Sequence, residues 1–162
     1  MSASFEAAVA KTIIREGGAT FTNDKDDPGG ATKFGISKRA FPDVDIANLT
    51  ESEAKAIYKK HYWDPIKGDA IESQALAENF FDTAVNMGVV TATKLVQMCL
   101  DVSVDGRMGD ITLARLNAIN EELFMAKFVI GKVARYASIC NKNSTMKKYL
   151  LGWINRSLGA AI

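Results

Sequence analysis

Residues 15–37 read "REGGATFTNDKDDPGGATKFGIS", and the reading of this stretch decides the fold. Upstream, Phe5, Val9 and Ile13 recur at helix spacing, and Gly17 and Gly18 end that helix. Downstream the pattern changes to Thr/Phe alternation, Asp-Pro-Gly-Gly and then "TKFGIS", which predicts a short irregular hairpin rather than a large sheet. Glu16 continues the stripe of Val9 and Ile13, so it is expected at the core-facing edge of the helix C-terminus. There the negative end of the helix dipole and an apolar wall would both keep a proton on its carboxyl, as a general acid requires. The two glycines keep bulk away and leave a face open to a ligand. A glutamate that simply turns outward, with the glycines as a helix cap, fits the same residues.

Cleavage of a glycosidic bond needs a second group across the bond, a carboxylate or a group that positions water. Asp24, Asp26, Asp27 and Thr32 lie within one hairpin of Glu16. A calcium loop starting at Asp24 fails, because Pro28 stands at its fifth position and Gly35 where a bidentate Glu belongs. "DVSVDGRMGDIT" (101–112) fails likewise, because it ends in Thr112, and it reads as an Asp-Gly turn between helices.

Helical periodicity dominates the rest of the chain. Thr50 and Glu53 form a capping box ahead of a helix through Tyr58, and further helices are expected over about 72–87, 91–100, 110–141 with a break near Gly131, and 144–158. The chain of 162 residues, 48% hydrophobic, is large enough for one well-buried core. The expected architecture is mainly α, an α+β arrangement of one helical domain with a small irregular β-hairpin after the first helix. Cys99 and Cys140 sit in apolar helical patterns without metal spacing and read as reduced, buried thiols. No apolar run is long enough to span a membrane and the N-terminus lacks a signal-peptide pattern, so synthesis in a host cytoplasm without membrane insertion is expected. The net charge of +1 conceals an asymmetry: residues 123–162 carry seven basic residues and no acid, leaving 13 basic against 19 acidic residues, or −6, before them. A solvated helix face or an anionic partner would account for such a tail.

Several ordered motifs together, "EGG…NDKDDPGGATKFGIS", "YWDPI" (62–66), "FDTAVNMG" (81–88), "DGRMGDITL" (105–113) and "GWINR" (152–156), resemble the phage-type N-acetylmuramidases of glycoside hydrolase family 108 with their predicted C-terminal peptidoglycan-binding segment. The resemblance runs nearly end to end and departs only by a short insertion around Ala19 and Thr20. It implies a lysozyme-like fold, with residues 1–90 as the catalytic region and 91–162 as a helical peptidoglycan-binding-like region packed with it as one unit. It also implies that Glu16 is the catalytic acid and that Asp27 matches the family aspartate. A Glu, Asp, Thr arrangement as in other phage lysozymes would instead use Asp26 with Thr32. The implied activity is an endolysin's hydrolysis of the β-1,4 bond between N-acetylmuramic acid and N-acetylglucosamine. The glycan strands of peptidoglycan are the partner, in the periplasm or cell wall of a host that is lysed, with access through a holin. A lytic transglycosylase with the same Glu, and a non-catalytic wall- or nucleic-acid-binding module, are the alternatives.

For substrate binding, Tyr62 and Trp63 can stack on a sugar ring, or fill the core as aromatics at a helix end. Asp82 and Asn86 share a helix face with spacing four and can bind N-acetyl groups or the peptide stem, or join two helices as a buried polar pair. Trp153 and Arg156 can clamp a lactyl or stem carboxylate, or divide into a core Trp and a surface Arg. The chemistry calls for no metal, no cofactor and no nucleic acid. His61 needs no role in it, and a monomer is expected.

Overall fold

The computed structural model describes residues 2–23 and 30–159, and the segment containing Asp24, Asp26 and Asp27 lies outside the described residues. Helix α1 (Phe5–Arg15) is capped by the Ser4 hydroxyl, and it buries Ala8, Val9, Thr12 and Ile13 as its spacing predicts. Its end is closed by backbone bonds from Gly17 N to Ile14 O (3.3 Å) and Gly18 N to Ile13 O (2.9 Å). Both glycines have positive φ, 96° and 59°, a conformation that side chains rarely adopt.

The hairpin follows. Strands β1 (Thr32–Lys33) and β2 (Ile36–Ser37) pair antiparallel, Thr32 with Ser37 and Lys33 with Ile36, and a bridge joins Thr22 to Thr32. The two-residue turn uses Phe34 and Gly35, both at positive φ (52° and 75°), as a primed hairpin turn demands. A phenylalanine is strained there. Its backbone is held from both sides: Phe34 N–H donates to Gly18 O at 2.9 Å, and Phe34 O accepts from the Tyr58 hydroxyl at 2.9 Å. The turn is thereby fixed against the end of α1.

Helix α2 (Glu51–Tyr58) starts with the expected Thr50–Glu53 capping box and runs into one π-helical turn, Lys59–Trp63. A short 3-10 turn at Gly68–Ala70 leads to α3 (Gln74–Met87), whose cap, Ser73, accepts from Leu76 N. Then come α4 (Val89–Leu100), α5 (Asp110–Ala118), α6 (Glu121–Lys142), a 3-10 turn (Ser144–Tyr149) and α7 (Leu150–Leu158). The expected break near Gly131 is absent. The chain instead leaves helical geometry at Ile119 and restarts at Asn120, whose side chain caps α6 by accepting from Leu123 N at 2.9 Å. Between α4 and α5 the expected Asp-Gly turn is present: Gln97 donates to Asp105 Oδ1 (2.7 Å), Gly106 N donates to Gln97 Oε1 (2.8 Å), and Gly106 has φ 79°.

The protein is mainly α, with the small hairpin placed after the first helix. Helix α3 is its spine, packed against α1 and α4, while α4 packs on α6 and α6 on α7. Phe5, Trp63 and Phe81 interlock with ring centroids 5.5–6.1 Å apart, and Tyr58 meets Phe81 edge-on at 6.2 Å. This cluster ties α1, α2 and α3 into the wall behind the hairpin. Among the described residues, no helix is long and apolar enough to cross a membrane.

Candidate active site

Glu16 stands where three elements meet. It is the C-cap of α1, its Oε1 accepts from Arg156 Nη2 of α7 at 2.9 Å, and the Gly35 turn packs on its stem. A Cβ at Gly35 would lie 2.6 Å from Glu16 Cβ and 2.5 Å from the Tyr58 hydroxyl, so only glycine allows the turn to come this close. The side chain of Glu16 remains 25% exposed, reachable from solvent while its base is fixed. The apolar wall expected around it is only half present, because a guanidinium faces the carboxylate.

That guanidinium is anchored in turn. Arg156 Nε and Nη2 form a fork on Asp82 Oδ2 and Oδ1 (3.1 and 2.9 Å), and Arg15 Nη1 of α1 reaches Asp82 Oδ1 at 3.1 Å. Asp82 is buried, its side chain 6% exposed, and two arginines offset its charge. Burial alone would make Arg156 easier to deprotonate, but hydrogen bonds and the charges of Asp82 and Glu16 hold it firmly protonated. Beneath lies Lys132 of α6, buried, donating to Asn79 Oδ1 at 2.9 Å and resting 5.2 Å from the Phe128 ring centroid. Burial pushes its ammonium down to about 8, with the Arg156 and Arg15 charges adding to the fall and Asp82 opposing it. On the other flank, burial raises the phenol of Tyr62, and the charge of Glu16 adds to the effect. Burial raises Tyr58 as well, with Glu16 and then Tyr62 adding to the effect and Arg156 opposing it.

The residues singled out from sequence divide accordingly. Glu16, Asp82 and Arg156 come together in one network, and Tyr62 lies half-buried beside them. Thr32 is half-buried on β1, its hydroxyl donating to Gly30 O at 3.1 Å. Trp63 cannot stack on a sugar: it is fully buried, and its indole N–H donates to Asp69 Oδ1 at 2.7 Å. Asp82 takes the second of its two readings, a buried polar group that joins helices: its carboxylate is held by Arg15 of α1 and Arg156 of α7. Asn86 is exposed, and its Oδ1 accepts from the Tyr136 hydroxyl at 2.8 Å, linking α3 to α6. Trp153 and Arg156 form no clamp. Trp153 stacks on Tyr136 (4.9 Å, 21°) and leans on Tyr149 (5.8 Å), while Arg156 turns to Asp82. His61 is exposed, edge-on to Phe41.

Sequence reasoning missed Arg15, Gly35, Tyr58 and Lys132. A signal existed for Lys132: Phe124, Phe128, Lys132, Tyr136 and Cys140 step by four along the buried face of α6, so the lysine lies inside an apolar stripe.

An accessible carboxylate at a helix end, braced by a hairpin turn and an arginine, suits a glycoside hydrolase, and the family comparison agrees. Residues 9–88 match the family model of glycosyl hydrolase 108, and residues 89–158 match that of a predicted peptidoglycan domain. The chain belongs to the glycosyl hydrolase 108 family, with the peptidoglycan domain as its second half. A similar solved structure is that of SagA from Brucella abortus, at 25% sequence identity and a TM-score of 0.72, covering 97% of this chain and 95% of that one. No curated protein matches the chain.

Proposed function

We propose that this glycoside hydrolase is an N-acetylmuramidase, hydrolysing the β-1,4 bond between N-acetylmuramic acid and N-acetylglucosamine with Glu16 as general acid. The observation that carries this reading is the setting of Glu16: fixed at its base by the Gly35 turn, addressed by Arg156, yet still one-quarter exposed. In the proposed step the Glu16 carboxyl gives its proton to the glycosidic oxygen. The C1–O bond breaks with its electron pair leaving on that oxygen, and water adds at C1 while a second group takes its proton. Asp27, or Asp26 with Thr32, is the proposed second group. Tyr62, half-buried near Glu16, is the proposed aromatic partner of a sugar ring, since Trp63 is fully buried. The peptidoglycan domain supports peptidoglycan as the substrate.

Mass spectrometry of purified peptidoglycan digested in heavy-oxygen water tests the bond and the reaction together. Reducing-end N-acetylmuramic acid carrying one heavy oxygen is expected. Reducing-end N-acetylglucosamine would mean that the other glycosidic bond is cut, and 1,6-anhydro ends without label would mean that the muramic C6 hydroxyl attacks instead of water.

A further inference from the structure

Arg156 lies on α7, in the half of the chain that matches the peptidoglycan domain, yet its guanidinium contacts a carboxylate 140 positions earlier. We propose that Arg156 is a positioning residue for Glu16, so that α7 completes the active site and the peptidoglycan domain is part of the catalytic centre as well as a tether to the wall. The inference rests on Glu16 being the acid.

The geometry is specific. One nitrogen, Nη2, is shared by Glu16 Oε1 and Asp82 Oδ1, both at 2.9 Å, while Nε holds Asp82 Oδ2 at 3.1 Å. The fork on the buried Asp82 fixes the plane of the guanidinium, and that plane in turn fixes where Nη2 points. Asp82 is therefore the anchor and Glu16 the addressed group. Arg15, the second partner of Asp82, comes from the last turn of α1, one residue before Glu16, so the anchor also grips the helix end that carries the acid. Two of the three elements that meet at Glu16, α1 and α7, are thus locked through one carboxylate on α3.

This arrangement has a consequence for the proton transfer. As the proton leaves Glu16 for the glycosidic oxygen, a full negative charge forms on its carboxyl group, and Nη2 already stands against it. An interaction that strengthens as charge develops stabilises the transition state more than the bound substrate, so it appears in kcat rather than KM. A lysine can supply the charge but has no planar fork with which to hold two carboxylates at once.

The test measures kcat and KM on short soluble glycan fragments, where wall tethering plays no part, for Arg156→Lys, Asp82→Asn, the double variant and Glu16→Gln, with melting temperatures alongside. Arg156→Lys should stay folded and lose on the order of 10²-fold in kcat, the scale of a misplaced catalytic group, with KM little changed. Asp82→Asn should give a similar loss, and it should add nothing once Arg156 is already lysine, because it acts through that residue. An Arg156→Lys enzyme with kcat within a few-fold of the parent would overturn the proposal, as would losses from Asp82 and Arg156 that multiply. If Asp82→Asn does not fold, Arg156→Lys alone decides. If Glu16→Gln retains turnover, the assignment of the acid fails, and the positioning role fails with it. An inactive Glu16→Gln beside a fully active Arg156→Lys would reject the positioning role alone.

Discussion

At the scale of single residues, two positions around the site carry predictions of their own. Gly35 is one. Replacement by alanine forces a side chain into positive φ, a strain of about 1–3 kcal/mol, and drives its Cβ against Glu16 Cβ and the Tyr58 hydroxyl. Neither contact is the loose end of a flexible chain, so the turn or the acid must move. Urea denaturation of Gly35→Ala should show the loss of stability, and turnover should fall with it; an equally stable and active variant would mean that the turn does not brace Glu16. Lys132 is the other. In the folded protein its ammonium titrates near 8, against 10.5 ordinarily, so at pH values between the two the unfolded chain binds more protons, and stability rises with pH across that window. Burial sets this fall, with Asp82 opposing it and the Arg156 and Arg15 charges adding to it. Relative to Lys132→Met, the parent should gain stability from about pH 8 towards 10.5 and show a constant difference below it. A difference that stays flat throughout would show that the lysine is not buried as a charge.

At the scale of elements, local signals were legible where they were self-contained. The Thr50–Glu53 capping box, the glycine stop after α1 and the hairpin all rest on neighbouring residues. The break in the long C-terminal helix was misplaced at Gly131, because an isolated glycine weakens a helix without ending it when neighbours pack around it. A Cβ at Gly131 would sit 3.6 Å from Leu95, so the glycine lies at the α4–α6 contact. The true signal was Asn120 followed by Glu121 and Glu122, an N-cap with acids in the first turn. Asn120→Ala should therefore destabilise the protein by about 1 kcal/mol, read as a shift in the denaturation midpoint. No change would mean that α6 is held by packing alone.

At the scale of the whole molecule, the charge asymmetry and the site were only partly legible, for the same reason: both depend on contacts far apart in sequence. Of the seven basic residues in the tail, Lys132 is buried and Arg156 serves the acidic pair, so neither belongs to a solvated face. Lys142, Lys147 and Lys148 are exposed. Neutralising these three should weaken binding to intact sacculi at low salt, with the defect shrinking as salt rises, while cleavage of short soluble glycans is spared. Unchanged binding would leave the tail without that role. Glu16 was legible because a helix stripe and two glycines surround it within a few residues. The fork from Arg156 to Asp82 spans 74 positions and could not be read from periodicity. For Trp63 the sequence left two readings open, and its packing on Phe5 and Phe81 decides for the core. The contacts of Arg156, Asp82 and the Gly35 turn all converge on Glu16. The most direct test is the turnover of Glu16→Gln on purified peptidoglycan, with melting temperature and sacculus binding measured on the same protein. Turnover lower by a factor on the order of 10²–10⁴ or more, with fold and binding retained, is the predicted result; clearance within a few-fold of the parent would contradict it and leave Glu16 as a helix-end residue.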